Sequence, residues 1–504
     1  MRVASWLLPI VIACGSQRSA DKTGSVGDAG SGSGSPAAPD SGTSGGGGDS
    51  GVGGSSDAGL IPDGGAPDGG EAADAGSVPD AGVPATIGVT PCPANPPLLW
   101  TRTFADEVDF RGAADDDENL YWVEYDPPPT FQSEGAAWLV SSDSDGHNRY
   151  RVPTSLKSYI GAFLVAGGKV VISRLAVLAA YDAASGAAAW SLDLSGTYRD
   201  GYAKVQGIAD LGNGRLAVAM YDYNIASGLY VLDQATGAIV WSTVGRADAD
   251  YGVQGSDGLG RALVNANYTS SYSSEQGYHT AEDLFVVDST GHELWRHNII
   301  DGGALLAWSS GAPWIRVAAA QGLSPSGDYM AAQPSWFAAV DGGDFAFAFG
   351  FGATAKTANR VDVIRKGAVI ATGELAGTNP YDGTAVFPFV AGDGGDHLIL
   401  LSQRWPSSPG LCHPSVAAEA ALSRFDALSS WQCPFAFEGE SGIEGAVLLN
   451  DRVILGRRTY LTDGCTHEVQ PVTIEAYGIP GESLAPSGWV QRGGSRGLGM
   501  RPRR

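Results

Sequence analysis

Side chains with chemistry to offer are few and scattered along this chain. His292-Glu293-Leu-Trp-Arg-His297 is one residue longer than the helical zinc spacing, in which two histidines one turn apart share a face, and it falls on a predicted strand. Two serines sit in nucleophile-like spellings. Gly48-Asp49-Ser50-Gly51 lies in a stretch with nothing to fold around it, and Gly493-Gly-Ser495-Arg-Gly497 follows the last predicted strand with no helix to present the hydroxyl. Asp115-Asp116-Asp117-Glu118 and Asp143-Ser-Asp145-Gly146 are acidic clusters in loops, and both read as solvated turns. The second spells half of a calcium loop without the distal bidentate Glu, so Asp143 and Asp145 are the candidate metal ligands and calcium the candidate ion. No catalytic residue and no resident cofactor is predicted.

Charge narrows the partners. Asp and Glu number 55 against 31 Lys and Arg, a net −24 that becomes −25 if Arg2 is removed. Such a surface disfavours nucleic acid and anionic membranes. The exception is the end of the chain, residues 492–504, where Arg492, Arg496, Arg501, Arg503 and Arg504 form a basic tail.

At the other end, Met1-Arg2 precedes an apolar run from Val3 to Ile12, then Ala13-Cys14-Gly15. A charged start, a short apolar run and a small residue before the break make an export signal over residues 1–13. The run is about half the roughly 20 residues that a spanning helix needs. Val11-Ile12-Ala13-Cys14 resembles a bacterial lipobox, with Val11 and Ile12 departing from the usual residues. The resemblance implies cleavage before Cys14 and lipid on its sulfur, so the membrane would be met through that anchor only.

Residues 14–91 are mostly Gly, Ser, Ala, Asp and Pro, and between Asp21 and Asp80 ten acids face one Lys22. Little there can offset ordering entropy by burial, so a disordered linker is expected. A coil of about 76 residues spans roughly 50 Å, and self-repulsion extends it. Beyond the lipid site are Cys92, Cys412, Cys433 and Cys465, an even number in an exported chain, without metal-ligand spacing. Two disulfides are expected, and the preferred pairing is Cys412 with Cys433 and Cys92 with Cys465.

The strongest pattern is structural. Leu229-Tyr-Val-Leu-Asp233-Gln-Ala-Thr-Gly237-Ala-Ile-Val-Trp241 returns as Leu178 to Trp190, with Asp182 and Gly186, and as Leu284 to Trp295, with Asp288 and Gly291. Weaker copies start the turn at Asp143, Asp341 and Asp426, and a frayed one runs Glu475 to Gly481. Between them lie hairpins with Gly- or Asp-containing turns, such as Ala166-Gly-Gly-Lys169 and Leu449-Asn-Asp-Arg452, and no amphipathic helix is evident. Short apolar runs punctuated by such turns are the all-β signature. A repeat whose unit cannot bury its own face implies stacked copies.

These copies resemble the pyrroloquinoline-quinone-like β-propeller repeat. The resemblance implies four-stranded blades over residues 92–491, with Trp190, Trp241 and Trp295 packed between blades. Seven or eight blades fit, and eight hairpins of the first kind favour eight. The 85-residue gap between Asp341 and Asp426, with its extra hairpin at 365–370, is the expected place of a worn blade. Leu98-Leu99-Trp100 reads as an outer strand that completes the blade begun at the C-terminus. Quinone dehydrogenases of this fold carry adjacent cysteines and calcium ligands that have no counterpart here, so no quinone is expected.

The resulting expectation is a lipid-anchored propeller of the cell envelope, acting as a binding or scaffold module. In plan it is similar to the propeller lipoprotein of the outer-membrane-protein assembly machine. The site would be the outer membrane, on its periplasmic face or at the cell surface, and the partner an envelope protein or glycan. The alternative is a propeller hydrolase or lyase, acting on glycans at an axial acidic or calcium site.

Overall fold

A computed structural model describes residues 85–485, leaving aside short connections and the longer stretches 127–134, 270–279, 318–333, 352–357, 375–383 and 405–418. Cys14, Cys412, Cys465, Asp341 and the basic tail lie outside the described residues, as do residues 1–84. Among the described residues there is no α-helix, and none of their segments is a helix long and apolar enough to cross a membrane.

The strands form a β-propeller. Seven four-stranded antiparallel sheets follow one another: blade 1 (Glu107–Lys157), blade 2 (Phe163–Asp193), blade 3 (Lys204–Val244), blade 4 (Ala249–Ile300), blade 5 (Pro334–Glu374), blade 6 (Thr384–Ala436) and blade 7 (Glu440–Gly478 with Leu98–Thr103). A two-stranded hairpin, Ala304–Ser309 with Ala312–Val317, lies between blades 4 and 5. First strands touch in ring order, from blade 1 through the hairpin to blade 7 and back to blade 1. The ring thus has eight stations, one of them two-stranded among the described residues. The worn station precedes Asp341 rather than following it. Phe337-Ala-Ala, expected to lead into a copy of the turn, belongs to the first strand of blade 5, and the hairpin at 365–370 joins that blade's third and fourth strands. That copy has no Trp to close it, so nothing local fixes its place in a blade.

Burial follows position in the blade. Inner strands are sandwiched on both faces and read as unbroken apolar runs, as in Lys169–Arg174, whose four central residues are all buried. Outer strands alternate at the solvent edge, as in Ala188–Asp193. The core is a series of layers, each shared by two neighbours. Leu139, Tyr125 and Val123 of blade 1 pack with Val165, Val170 and Ile172 of blade 2. Val447 and Ile454 of blade 7 pack with Phe110 and Trp122 of blade 1.

The N-terminal segment enters along the outer rim. Ala85–Ile87 adds in parallel to the fourth strand of blade 5, and Val89–Pro91 to that of blade 6. Leu98–Thr103 then pairs antiparallel with Thr466–Gly478 and completes blade 7, as its sequence suggested. Residues 85–91, placed in the linker by composition, are therefore strands. Their Thr86, Ile87, Val89 and Thr90 are β-formers that an exposed edge can order.

The disulfide expectation is corrected here. Cys92 bonds to Cys433, with Cα atoms 4.7 Å apart, in place of the Cys412–Cys433 and Cys92–Cys465 pairings. The reason is strand addition: the Cys92 N–H donates to the Gln432 carbonyl at 3.2 Å, which brings the sulfur beside the next residue. The bond closes a loop spanning 341 residues. Loop entropy of that length favours the folded state by a few kcal/mol, on the order of 5 at most. Cys433→Ser should lower unfolding free energy by about 2–5 kcal/mol in urea titrations. Non-reducing peptide mapping should recover Cys92 joined to Cys433, and a Cys92–Cys465 peptide would overturn the assignment.

Candidate functional site

Gly186, Trp190, Gly237, Trp241 and Gly291 meet at junctions between blades, and Asp182, Asp233 and Asp288 hold the turns there. In blade 3 the Asp233 carboxylate accepts from the Thr236 amide at 3.0 Å and its hydroxyl at 2.8 Å, and it also pairs with Arg215. This holds the turn so that Gly237 takes φ +72°. Trp190, from blade 2, lies on that glycine: a Cβ there would stand 2.7 Å from the indole. The indole N–H donates to the Gln234 carbonyl at 2.8 Å. The arrangement recurs. Trp241 lies on Gly291, Tyr150 on Gly186, and Trp100 on Gly146. Trp100 donates to the Ser144 carbonyl at 3.0 Å and Tyr150 to that of Ala183 at 3.1 Å. Asp182 and Asp288 hold their turns as Asp233 does. Trp295 stands on the outer strand of blade 4, opposite Val286.

The candidate calcium ligands are engaged otherwise. Asp143 caps its own turn, accepting from the amides of Asp145 at 3.0 Å and His147 at 2.8 Å. Asp145 pairs with Arg452 of blade 7 at 2.7 Å. Asp115 accepts from Asn119 and from the Tyr121 hydroxyl at 2.6 Å, and Glu118 accepts from the Asn450 amide. Among the described residues no group of three His, Cys, Asp or Glu could hold a metal ion.

One polar cluster that joins blades was not singled out from sequence. Strands alternate direction, so the starts of first strands gather at the end of the ring opposite the Asp–Gly turns. There Arg111 of blade 1 grips Asp109 through two bonds of 2.9 and 2.7 Å and donates to the carbonyls of Ile160 and Gly161 on the way into blade 2. Arg458 of blade 7 pairs with Glu444 and, at 3.3 Å, with Glu107 of blade 1. Burial pushes the Glu444 carboxyl up against the pull of Arg458, and the charges of Asp109 and Glu107 add to the rise. The signal available in sequence was the alternation Glu107, Asp109, Arg111, which puts charge on one face of an inner strand. Each of these carboxylates is bound to a guanidinium, so the cluster clamps blades 7, 1 and 2 near the axis.

A second polar centre lies in blade 6. His397, 5% exposed, meets Asp396 at 2.7 Å through Nδ1 and Glu482 through Nε2, with Arg424 behind Glu482 at 3.2 Å. Burial alone would push its pKa down, but the two carboxylates overcome that and raise it. Glu482 belongs to the segment Ile479–Ala485, which is tied to blade 7 at Asp451 and to blade 6 at Val390 and Gly392.

No protein-family model and no curated protein matches the sequence. Among solved structures, the quinohemoprotein alcohol dehydrogenase of Comamonas testosteroni is similar at 11% identity and TM-score 0.37, covering 78% of each chain. BamB from Moraxella catarrhalis is similar at 12% identity and TM-score 0.32, over 76% of this chain and 99% of that one. The WD40 domain of SCAP from fission yeast gives 7% identity and TM-score 0.39, over 78% and 94%. The propeller architecture rests on the strand order and the closed ring of first strands.

Two predictions follow from the junction. Gly237→Ala forces a side chain into a left-handed turn and against Trp190, and should cost about 2 kcal/mol or more in urea unfolding. A loss under about 0.5 kcal/mol, the size of an ordinary surface substitution, would show that the ring does not bear on the turn. The donors of Ser185 and Thr236 hold the Asp182 and Asp233 carboxyls below their ordinary value of 3.8. A depressed folded pKa gives stability that is present above that value and is lost as pH falls through it. Unfolding free energy should therefore decline below about pH 4, and the double variant Asp182→Asn, Asp233→Asn should flatten that decline.

Proposed function

We propose that this chain is an exported, lipid-anchored β-propeller that acts as a binding or scaffold module at a bacterial cell envelope. The observation that carries the proposal is the Cys92–Cys433 bond, which fastens the entering chain to the outer rim of blade 6. Such bonds persist in oxidising compartments outside the cytosol. The bond also lies just after the Gly- and Asp-rich stretch, so tension on a lipid-held linker would be borne by the disulfide and two added strands. Export is further supported by the apolar run and Cys14 at the chain's start. The axial carboxylates are engaged by Arg111 and Arg458, which favours binding over acid–base chemistry as the working mode. The partner is an envelope protein or a glycan, and the seat is the outer membrane.

The test uses the full chain expressed in a Gram-negative host. Fatty-acid label should enter the protein and be lost in Cys14→Ser. Cross-linked envelope fractions should yield a stoichiometric protein or glycan partner. Label that survives Cys14→Ser would sink the anchor, and a chain recovered alone would sink the binding role.

A further inference from the structure

The outer edges of the blades are not alike. The fourth strands of blades 5 and 6 are covered by the chain's own Ala85–Ile87 and Val89–Pro91. That of blade 1, Asn148–Lys157, carries Arg149, Arg151, Pro153 and Lys157; that of blade 2 ends in Asp193; that of blade 4 carries Glu293 and Arg296; that of blade 7 carries Arg102. Charge and proline disfavour addition where they fall among the pairing residues. Outside them they do not bar it, since the covered strands of blades 5 and 6 hold Glu374 and Pro434 beyond the residues that pair. Blade 3 has neither charge nor proline. Its edge reads Ile239-Val-Trp-Ser-Thr-Val244, uncharged and rich in β-formers, with Ile239 46% and Val240 44% exposed. Among the described residues it pairs only with Gly228–Asp233.

The same molecule shows what such an edge accepts. In blade 5 the fourth strand bulges at Ile370, and the next three residues, Ala371, Thr372 and Gly373, take Ala85, Thr86 and Ile87 in parallel register. Blade 3 bulges at the matching place, Val240, followed by Trp241, Ser242 and Thr243. Trp241 turns its ring toward Gly291 of blade 4, which leaves the backbone edge beside it to face outward.

We propose that Trp241–Thr243 is a docking edge on which an extended segment of a partner protein, uncharged and rich in Val, Ile and Thr, adds in parallel as a fifth strand of blade 3. Main-chain hydrogen bonds supply the affinity, and the exposed Ile239 and Val240 supply apolar contact beside them. The segment would match the chain's own residues 85–91 in character. This inference rests on the binding-module reading and assigns it a surface. Its failure would leave that reading to other surfaces, because capture of a partner by the whole chain does not depend on this edge.

The probe is a fluorescent peptide with the sequence of residues 85–91, Ala-Thr-Ile-Gly-Val-Thr-Pro. It is added to the oxidised full chain, whose own copy stays seated behind the Cys92–Cys433 bond. Anisotropy should saturate with a Kd in roughly the micromolar range, a strength suited to a short added strand. Hydrogen exchange should slow at the amides of 239–244 and not at those of 188–193. Ser242 is exposed, so Ser242→Lys should leave the melting temperature unchanged while raising Kd by about tenfold or more. Ser191→Lys, at the matching place in blade 2, should leave Kd unchanged. Absence of binding, protection on another edge, or an unaltered Kd in Ser242→Lys overturns the proposal. It is equally overturned if Ser242→Lys instead abolishes capture on phosphatidylcholine vesicles, which would mark a lipid surface, or abolishes a concentration-dependent dimer, which would mark a second copy.

Discussion

One contact recurs wherever this ring is regular: an aromatic ring from the outer strand of one blade lies flat on a glycine in the turn of the next. It needs several things at once. The turn must pass through a left-handed residue, which makes it glycine. The Asp that opens the turn must be ionised and satisfied by the amides and hydroxyls that follow it. The aromatic must carry a donor for the exposed carbonyl beside the glycine. Burying much of an aromatic side chain is worth about 1.5–3 kcal/mol, and the hydrogen bond adds roughly 1. Summed over consecutive junctions, this outweighs any single contact in the layers between blades. The bulge beside each aromatic follows from the same demand. Arg149, Ala189, Val240 and Leu99 are each the extra residue before a ring that lies on the next blade's glycine.

What was legible in the sequence follows from how local each feature is. The Asp–Gly–aromatic phrase spans thirteen residues in its longest copies, so its role as a blade junction could be read directly at Asp182, Asp233 and Asp288. The outer strand at Leu98–Trp100 was also legible, because it keeps the second half of the phrase. The disulfide was not. Cys92 meets Cys433 only because Val89–Pro91 pairs with Ser430–Gln432, and nothing within either segment announces that pairing. The axial cluster is of the same kind: Arg458 and Glu107 are 351 residues apart and meet only once the ring closes. The misplaced worn station has a different cause. A strand, an Asp and two glycines at 337–343 matched the first half of the phrase, and without a closing aromatic that half also fits a first strand and its turn.

The two ends of the ring are built from different chemistry. At the end carrying the Asp–Gly turns, carboxylates are spent on their own backbone amides, and Asp145 and Asp233 take guanidinium partners as well. At the opposite end the carboxylates of Asp109 and Glu444 are held by arginines that also cap carbonyls of the next blade. An ion pair of this sort contributes little net stability once desolvation is counted, but it is costly to break on one side. Its use here is to fix the spacing of first strands where their edges crowd the axis. Gly112 and Gly445 show the crowding, since a Cβ on either would collide with the backbone of the facing strand.

The irregular third of the chain shows how a propeller stays closed where the phrase fails. In blades 5 to 7, no Asp–Gly turn among the described residues receives a ring from the blade before it. The substitutes are straps. Ile87 inserts into the core layer of Val361, Val363, Phe389 and Leu422, where it joins blades 5 and 6 from outside. Gly373 keeps that place open, with Phe425 and Ile87 both within contact of its missing side chain. Cys92 pins the same segment to blade 6, and Leu98–Thr103 carries it into blade 7. From the other end Ile479–Ala485 folds back between blades 7 and 6, with Leu484 and Ala485 buried and Glu482 held by His397 and Arg424. Both ends of the propeller chain therefore converge on the arc where local sequence is least able to lock blades. The regular arc needs no strap, and among the described residues the outer edges of blades 1 to 4 carry no added strand.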